Sequence, residues 1–145
     1  MILIRVFNSN PKHRVGIKGT LSIARFVFKT EKIKHADINI IFVDDKTIRT
    51  LNGKFLKRWN LTDVLSFTLN EDLDYIEGEV YINIDQARRQ AKDYKVTYKN
   101  EYSRLIIHGL LHLIGYRDDL KKESVKMLNK EELLLNKLGK NSILR

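Results

Sequence analysis

The stretch Leu105-Ile-Ile-His-Gly-Leu-Leu-His-Leu-Ile114 constrains the fold of this chain more than any other. Apolar residues at 105, 106, 107, 110 and 111 make a helix that is apolar all round, which cannot lie on a surface and must be covered. The stretch is far short of the ~20 apolar residues of a membrane-spanning helix, and it carries two histidines. Thr97 or Asn100 can start this helix, and Gly115 stops it in the left-handed conformation that glycine adopts most cheaply.

The rest of the chain supplies the cover. Ile2 to Phe7 reads as a first strand, and Ile17, Leu21, Ala24 and Phe28 recur at helical spacing. Residues 37–43 form a second strand with Ile38, Ile40 and Phe42 on one face. Asp44 or Asp45 can cap a helix carrying Ile48, Leu51 and Phe55, and residues 63–69 read as a strand with Leu65, Phe67 and Leu69 facing one way. The acids between Glu71 and Glu79 mark an exposed loop, after which Val80 to Ile84 alternates as a strand and Asp85 caps a helix with Ala87, Ala91 and Tyr94. A last amphipathic helix runs over about 121–138, with residues 139–145 as a frayed tail. The expectation is a single α+β domain over 1–145, a mixed sheet of about four strands packed with about five helices, and a site at the end of the buried helix.

Charge and composition narrow the partners without choosing one. The excess of 27 Lys and Arg over 18 Asp and Glu gives a net charge of +9, which suits nucleic acid, an anionic membrane or an acidic protein. With no cysteine, disulfide scaffolds and thiolate metal sites are excluded. The apolar run at the N-terminus is too short for a signal peptide and is broken by Arg5, so a cytoplasmic location is expected.

Within the buried helix, His108 and His112 stand four residues apart and point from the same face. Each buried imidazole needs a partner or costs a few kcal/mol, and one divalent ion satisfies both. Gly115 lets the chain reverse, and Asp118 three residues on offers a third ligand. The spacing H-x-x-x-H-x-x-G-x-x-D is that of the metzincin ligands with aspartate as the third. The glutamate base of zinc peptidases is absent, because Gly109 follows the first histidine. Asp119 is a rival third ligand at one residue too long, and a pair of hydrogen-bonded core histidines is the reading without a metal. Three protein ligands leave a fourth position open, as a catalytic zinc requires. Two histidines and a carboxylate suit zinc, and iron, manganese or nickel as well.

With these residues in place, the chain resembles the YbeY family of bacterial rRNA maturation factors. The family's H-G-x-L-H-L-x-G-Y-D-H is matched by His108, Gly109, Leu111, His112, Leu113, Gly115 and Tyr116, with Arg117 and Asp118 departing at the last two places. Leu51-Asn52, Thr62-Asp63-Val64-Leu65-Ser66-Phe67 and Gly78-Glu79-Val80, leading into Asp85, Ala87, Gln90 and Ala91, agree in order and spacing. Glu101 and Leu105 follow, ahead of the histidines. The resemblance implies a single-strand-specific, metal-dependent endoribonuclease acting in maturation of the 16S rRNA 3′ end and in ribosome quality control. It implies one divalent ion, zinc first, held by His108, His112 and Asp118. Its expected partners are single-stranded RNA or rRNA and ribosomal proteins or the small subunit, with neither DNA nor membrane among them.

The family's functional arginine falls on Leu56, so Lys57 or Arg58 would have to neutralise charge on the scissile phosphate. Leu56 also favours a second reading, an RNA- or ribosome-binding protein with a structural metal and no turnover. Lys46, Arg49, Lys54, Lys57 and Arg58 form a run without an acid, as expected of a phosphate-docking face. Tyr116, Trp59 and Phe55 could stack on unpaired bases, but for Phe55 a core position is the expectation. Along the last helix, Lys121, Lys122, Lys126 and Lys130 are expected to pair with Glu123, Glu131 and Glu132 or to be solvated.

Overall fold

A computed structural model of the chain describes residues 1–57, 61–70, 72 and 74–140, the last without its side chain. Its elements are β1 (Ile2–Asn8), α1 (Ile17–Thr30), β2 (Ala36–Val43), α2 (Asp45–Leu56), β3 (Val64–Thr68), β4 (Ile76–Asn83), α3 (Ile84–Tyr94), α4 (Tyr98–Ile114) and α5 (Lys121–Lys140). The sheet order is β1-β2-β4-β3, with β1, β2 and β4 parallel and β3 antiparallel to β4. This is the α+β arrangement expected, a four-stranded mixed sheet with five helices.

One face of the sheet is the core. Ile38, Ile40 and Phe42 of β2 and Ile76, Val80 and Ile82 of β4 are buried there. Against them pack Ile23, Ala24, Val27 and Phe28 of α1 and Leu105, Ile107, Leu110 and Leu111 of α4. Helix α4 touches α1, α3, α5, β3 and β4, so its all-round apolar character is used on every side. Thr97 caps it, its Oγ1 accepting from the Asn100 N–H at 3.0 Å. Asp44 does the same for α2 through the Thr47 N–H at 2.9 Å.

Three expectations are corrected. The acids between 71 and 79 do not all lie in a loop, because β4 begins at Ile76. There Ile76, Gly78, Val80 and Ile82 continue the inward alternation, while Glu77 and Glu79 point to the other, partly solvated face. That strand also ends earlier than expected: Ile84 opens α3 and Asn83 is its cap, accepting from the Gln86 N–H at 3.3 Å. Asp85 instead accepts from the Asp45 N–H at 3.0 Å and the Asn10 amide at 3.3 Å, tying the starts of α2 and α3 to the chain after β1. Phe55 is not in the core; it is 56% exposed and meets Phe67 edge-on at 5.7 Å on the sheet face opposite α4.

Gly109 sets how closely α4 approaches the sheet. A Cβ there would lie 2.4 Å from Val80 Cγ1 and 3.2 Å from Val64 Cγ2. Its carbonyl accepts from the Ser66 hydroxyl at 2.9 Å, fixing the helix against β3. A position with no room for a β-carbon does not suit the glutamate base of a zinc peptidase.

Candidate metal centre

Helix α4 presents His108 and His112 one turn apart, and the chain then reverses tightly. Gly115 takes φ 117°, and the Tyr116 N–H reaches back to the Leu111 carbonyl at 2.9 Å, closing the helix in a Schellman turn. The Tyr116 hydroxyl donates to Glu31 at 2.6 Å, which pins the turn to the end of α1; Lys130 joins the same carboxylate at 3.1 Å. Burial and the Glu31 carboxylate push the Tyr116 phenol well above its usual pKa, so it stays a donor. Held this way, the chain brings Asp118 back over the helix end.

The three groups converge. The Nε2 atoms of His108 and His112 are 3.2 Å apart, and Asp118 Oδ2 lies 3.4 Å from His112 Nε2 and 4.0 Å from His108 Nε2. Around a tetrahedral zinc with bonds of about 2.0–2.1 Å, ligand atoms stand about 3.3 Å apart. Two imidazole nitrogens and one carboxylate oxygen at these separations fit a single divalent ion, and this group could hold one. Asp119, the rival, turns away: its carboxylate is clasped by the Arg117 guanidinium, with Nε donating at 3.1 Å and Nη2 to the second oxygen.

A buried network stands behind the first histidine. Glu131 of α5, 1% exposed, places Oε1 2.6 Å from His108 Nδ1 and Oε2 3.3 Å from Arg104 Nη1. Arg104 also forks onto Glu101 at 2.9 and 2.5 Å, and Gln90 donates to Glu101 at 2.6 Å. The two carboxylates raise the Arg104 pKa above its already high value, so its charge is permanent. With Glu131 accepting from Nδ1–H, the His108 lone pair is left on Nε2, facing Asp118 and His112. Burial, and then the neighbouring His108, lower the His112 pKa, so its imidazole is neutral at pH 7 and also has a lone pair to give.

Beside His112 opens a cleft of about 490 Å³ between β3 and the turn at Gly115 to Arg117. Lys57 is not among the residues that line it; this residue closes α2 in a left-handed conformation, φ 60°, and is exposed. Arg58 and Trp59 lie outside the described residues. Phe55 belongs to a second groove on the far sheet face, with Phe67 and Tyr81.

Glu131 is buried at the site, not solvated or paired with a lysine of its own helix as its sequence neighbours suggest. In a helix dense in Lys and Glu it reads as one more solvated charge, yet Met127, Glu131, Leu134 and Leu138 are all buried at helical spacing. An acid inside an otherwise apolar stripe is the signal that marks it.

Known proteins resemble this chain over most of its length. A family model described as Endoribonuclease YbeY matches residues 8–139. A curated Endoribonuclease YbeY of Endomicrobium trichonymphae is 43% identical over 109 residues, 75% of this chain and 76% of that protein. One from Acholeplasma laidlawii is 38% identical over 115 residues, 79% of this chain and 83% of that protein. A solution structure of a Thermotoga maritima protein superposes with a TM-score of 0.69 at 27% identity, covering 95% of this chain and 91% of that one. The chain belongs to the YbeY endoribonuclease family.

Proposed function

We propose that this protein is a zinc-dependent endoribonuclease that cuts single-stranded RNA in rRNA maturation, with His108, His112 and Asp118 as its metal ligands. The observation that carries the reading is the convergence of two imidazole nitrogens and a carboxylate oxygen beside an open cleft, on a chain of net charge +9. When bound, the ion supplies Lewis acidity toward a phosphoryl oxygen and activates the attacking hydroxyl or water. Glu131 orients His108 through Nδ1, and the Schellman turn at Gly115 places Asp118. β3 walls the cleft with Val64, Leu65, Ser66 and Thr68, a mixed apolar and hydroxyl surface that an unpaired base and its sugar can lie against. The relatives' printed name supports cleavage within RNA; an rRNA substrate, ribosomal partners and a cytoplasmic location are the finer part of the proposal. No helix among the described residues is long and apolar enough to cross a membrane.

The test is cleavage of an unstructured RNA and of the same sequence annealed to its complement. We expect endonucleolytic cuts in the single strand, at least ten-fold slower cutting of the duplex, loss of both on chelation and recovery when zinc is restored. Cleavage that survives chelation in a nuclease-free preparation would overturn the mechanism. Leu56 in place of the family's arginine favours a second reading, RNA binding with a structural ion and no turnover. Tight binding without any cutting would select it.

A further inference from the structure

The geometry points to Arg117 as the residue that grips the scissile phosphate in this protein, held ready by Asp119. The inference rests on the endoribonuclease reading above and assigns that site its phosphate-binding cation. A phosphodiester cut at this site would need a cation at a phosphoryl oxygen besides any ion that His108, His112 and Asp118 would hold, because negative charge accumulates on those oxygens as the attacking bond to phosphorus forms. Among the described residues lining the cleft at His112, Arg117 is the one permanent cation. It directly precedes Asp118, so the turn that places the carboxylate also places Arg117 in the lining of the cleft.

Its present contacts leave it able to act. Asp119 takes Nε and Nη2 from one side, and Nη1 donates to no partner among the described residues. The pair is well exposed, 66% for Arg117 and 53% for Asp119, and exposed pairs are weak enough for a phosphate to compete. Asp119 thus limits the wandering of a long side chain without burying its charge, which lowers the entropy lost when a phosphate is bound. The usual alternative is missing from this chain: position 56, at the end of α2, is Leu56, and the next residue, Lys57, does not line the cleft. The two departures are complementary in kind: the family's arginine is absent at position 56, and an arginine is present at position 117 in the cleft lining.

The experiment compares the wild type with Arg117→Ala and Arg117→Lys. It reads single-turnover cleavage of an unstructured RNA, zinc bound per chain, and RNA affinity of the chelated protein as a function of salt. Arg117→Ala should cut about 10²–10³-fold more slowly, the scale on which one charge-stabilising donor acts. Its zinc content should be unchanged, and the slope of log affinity against log salt should shrink by about 0.7, the value of one phosphate contact on a single strand. Arg117→Lys should recover the salt slope and only part of the rate, since a point charge replaces a fork. Full activity in Arg117→Ala with an unchanged salt slope would overturn the assignment. So would loss of zinc from that variant, which would make the residue a support for Asp118. If the wild type does not cut RNA at all, the endoribonuclease reading fails. The salt slopes of wild type and Arg117→Ala then still decide whether Arg117 holds a phosphate.

Discussion

Replacing His112 with alanine is expected to abolish RNA cleavage, by about a thousand-fold or more, while the protein still folds. His112 supplies one of three converging atoms, and with it removed the remaining pair, His108 Nε2 and Asp118 Oδ2, stands 4.0 Å apart with no third protein ligand among the described residues. Groups that act as a unit lose nearly everything when one is deleted, so a partial defect is not the expected outcome. The fold tolerates the change because the ring sits at the cleft edge, 27% exposed, and lowering of its pKa by burial already costs the native state something below pH 6.5. The sign is clear: a histidine with a depressed folded pKa binds fewer protons than in the unfolded chain, so it destabilises as pH falls through the unfolded value. Alanine removes that liability. Thermal melts of both proteins in chelator, where bound metal adds no stability, should differ by no more than about 1 kcal/mol. A variant that unfolds, or one that keeps cutting, would contradict the role.

The second large effect is at Glu131, and it should appear in stability as well as in metal affinity. Glu131→Ala leaves His108 Nδ1 without its acceptor and takes one of two carboxylates from the largely buried Arg104. Breaking a buried charge pair typically costs about 3–5 kcal/mol. Arg104 keeps its fork onto Glu101, so a loss near the lower end, about 3 kcal/mol, is expected in denaturant unfolding of the chelated protein. Zinc affinity should fall about 10–100-fold, the usual effect of removing the carboxylate behind a metal-bound histidine. Glu131→Gln separates the two consequences. The amide oxygen can still accept from Nδ1–H, so metal affinity should recover further than stability, because a neutral amide no longer neutralises Arg104. Unchanged zinc affinity in Glu131→Ala would remove Glu131 from the account of the site.

Much of the fold and of the candidate site is legible in the amino-acid sequence. The all-round apolar run of α4 demanded burial, and the strand periodicities at Ile38, Ile40 and Phe42 named the face that buries it. The spacing of His108, His112, Gly115 and Asp118 carries the convergence of the candidate group because helix pitch and a glycine stop are local physics. What failed was non-local. The acids Glu77 and Glu79 looked like a loop because a period-two pattern with charges outward is ambiguous until a neighbouring strand is seen. Phe55 looked like core because helix periodicity alone does not reveal that the sheet face beneath α2 is largely open. Glu131 looked solvated because its partners, His108 and Arg104, are more than twenty residues away. Arg117 stood out only as a departure from a motif, and its meaning depends on a cleft that no spacing reveals.

The central claim is that three side chains at the end of α4 hold one divalent ion. It is tested most directly by counting metal, by elemental mass spectrometry, on protein purified without a histidine tag. The account predicts one ion per wild-type chain, zinc, and none in Asp118→Ala protein of the same fold. A wild-type chain that binds no stoichiometric ion when zinc is supplied, or an Asp118→Ala chain that keeps it, would contradict the account.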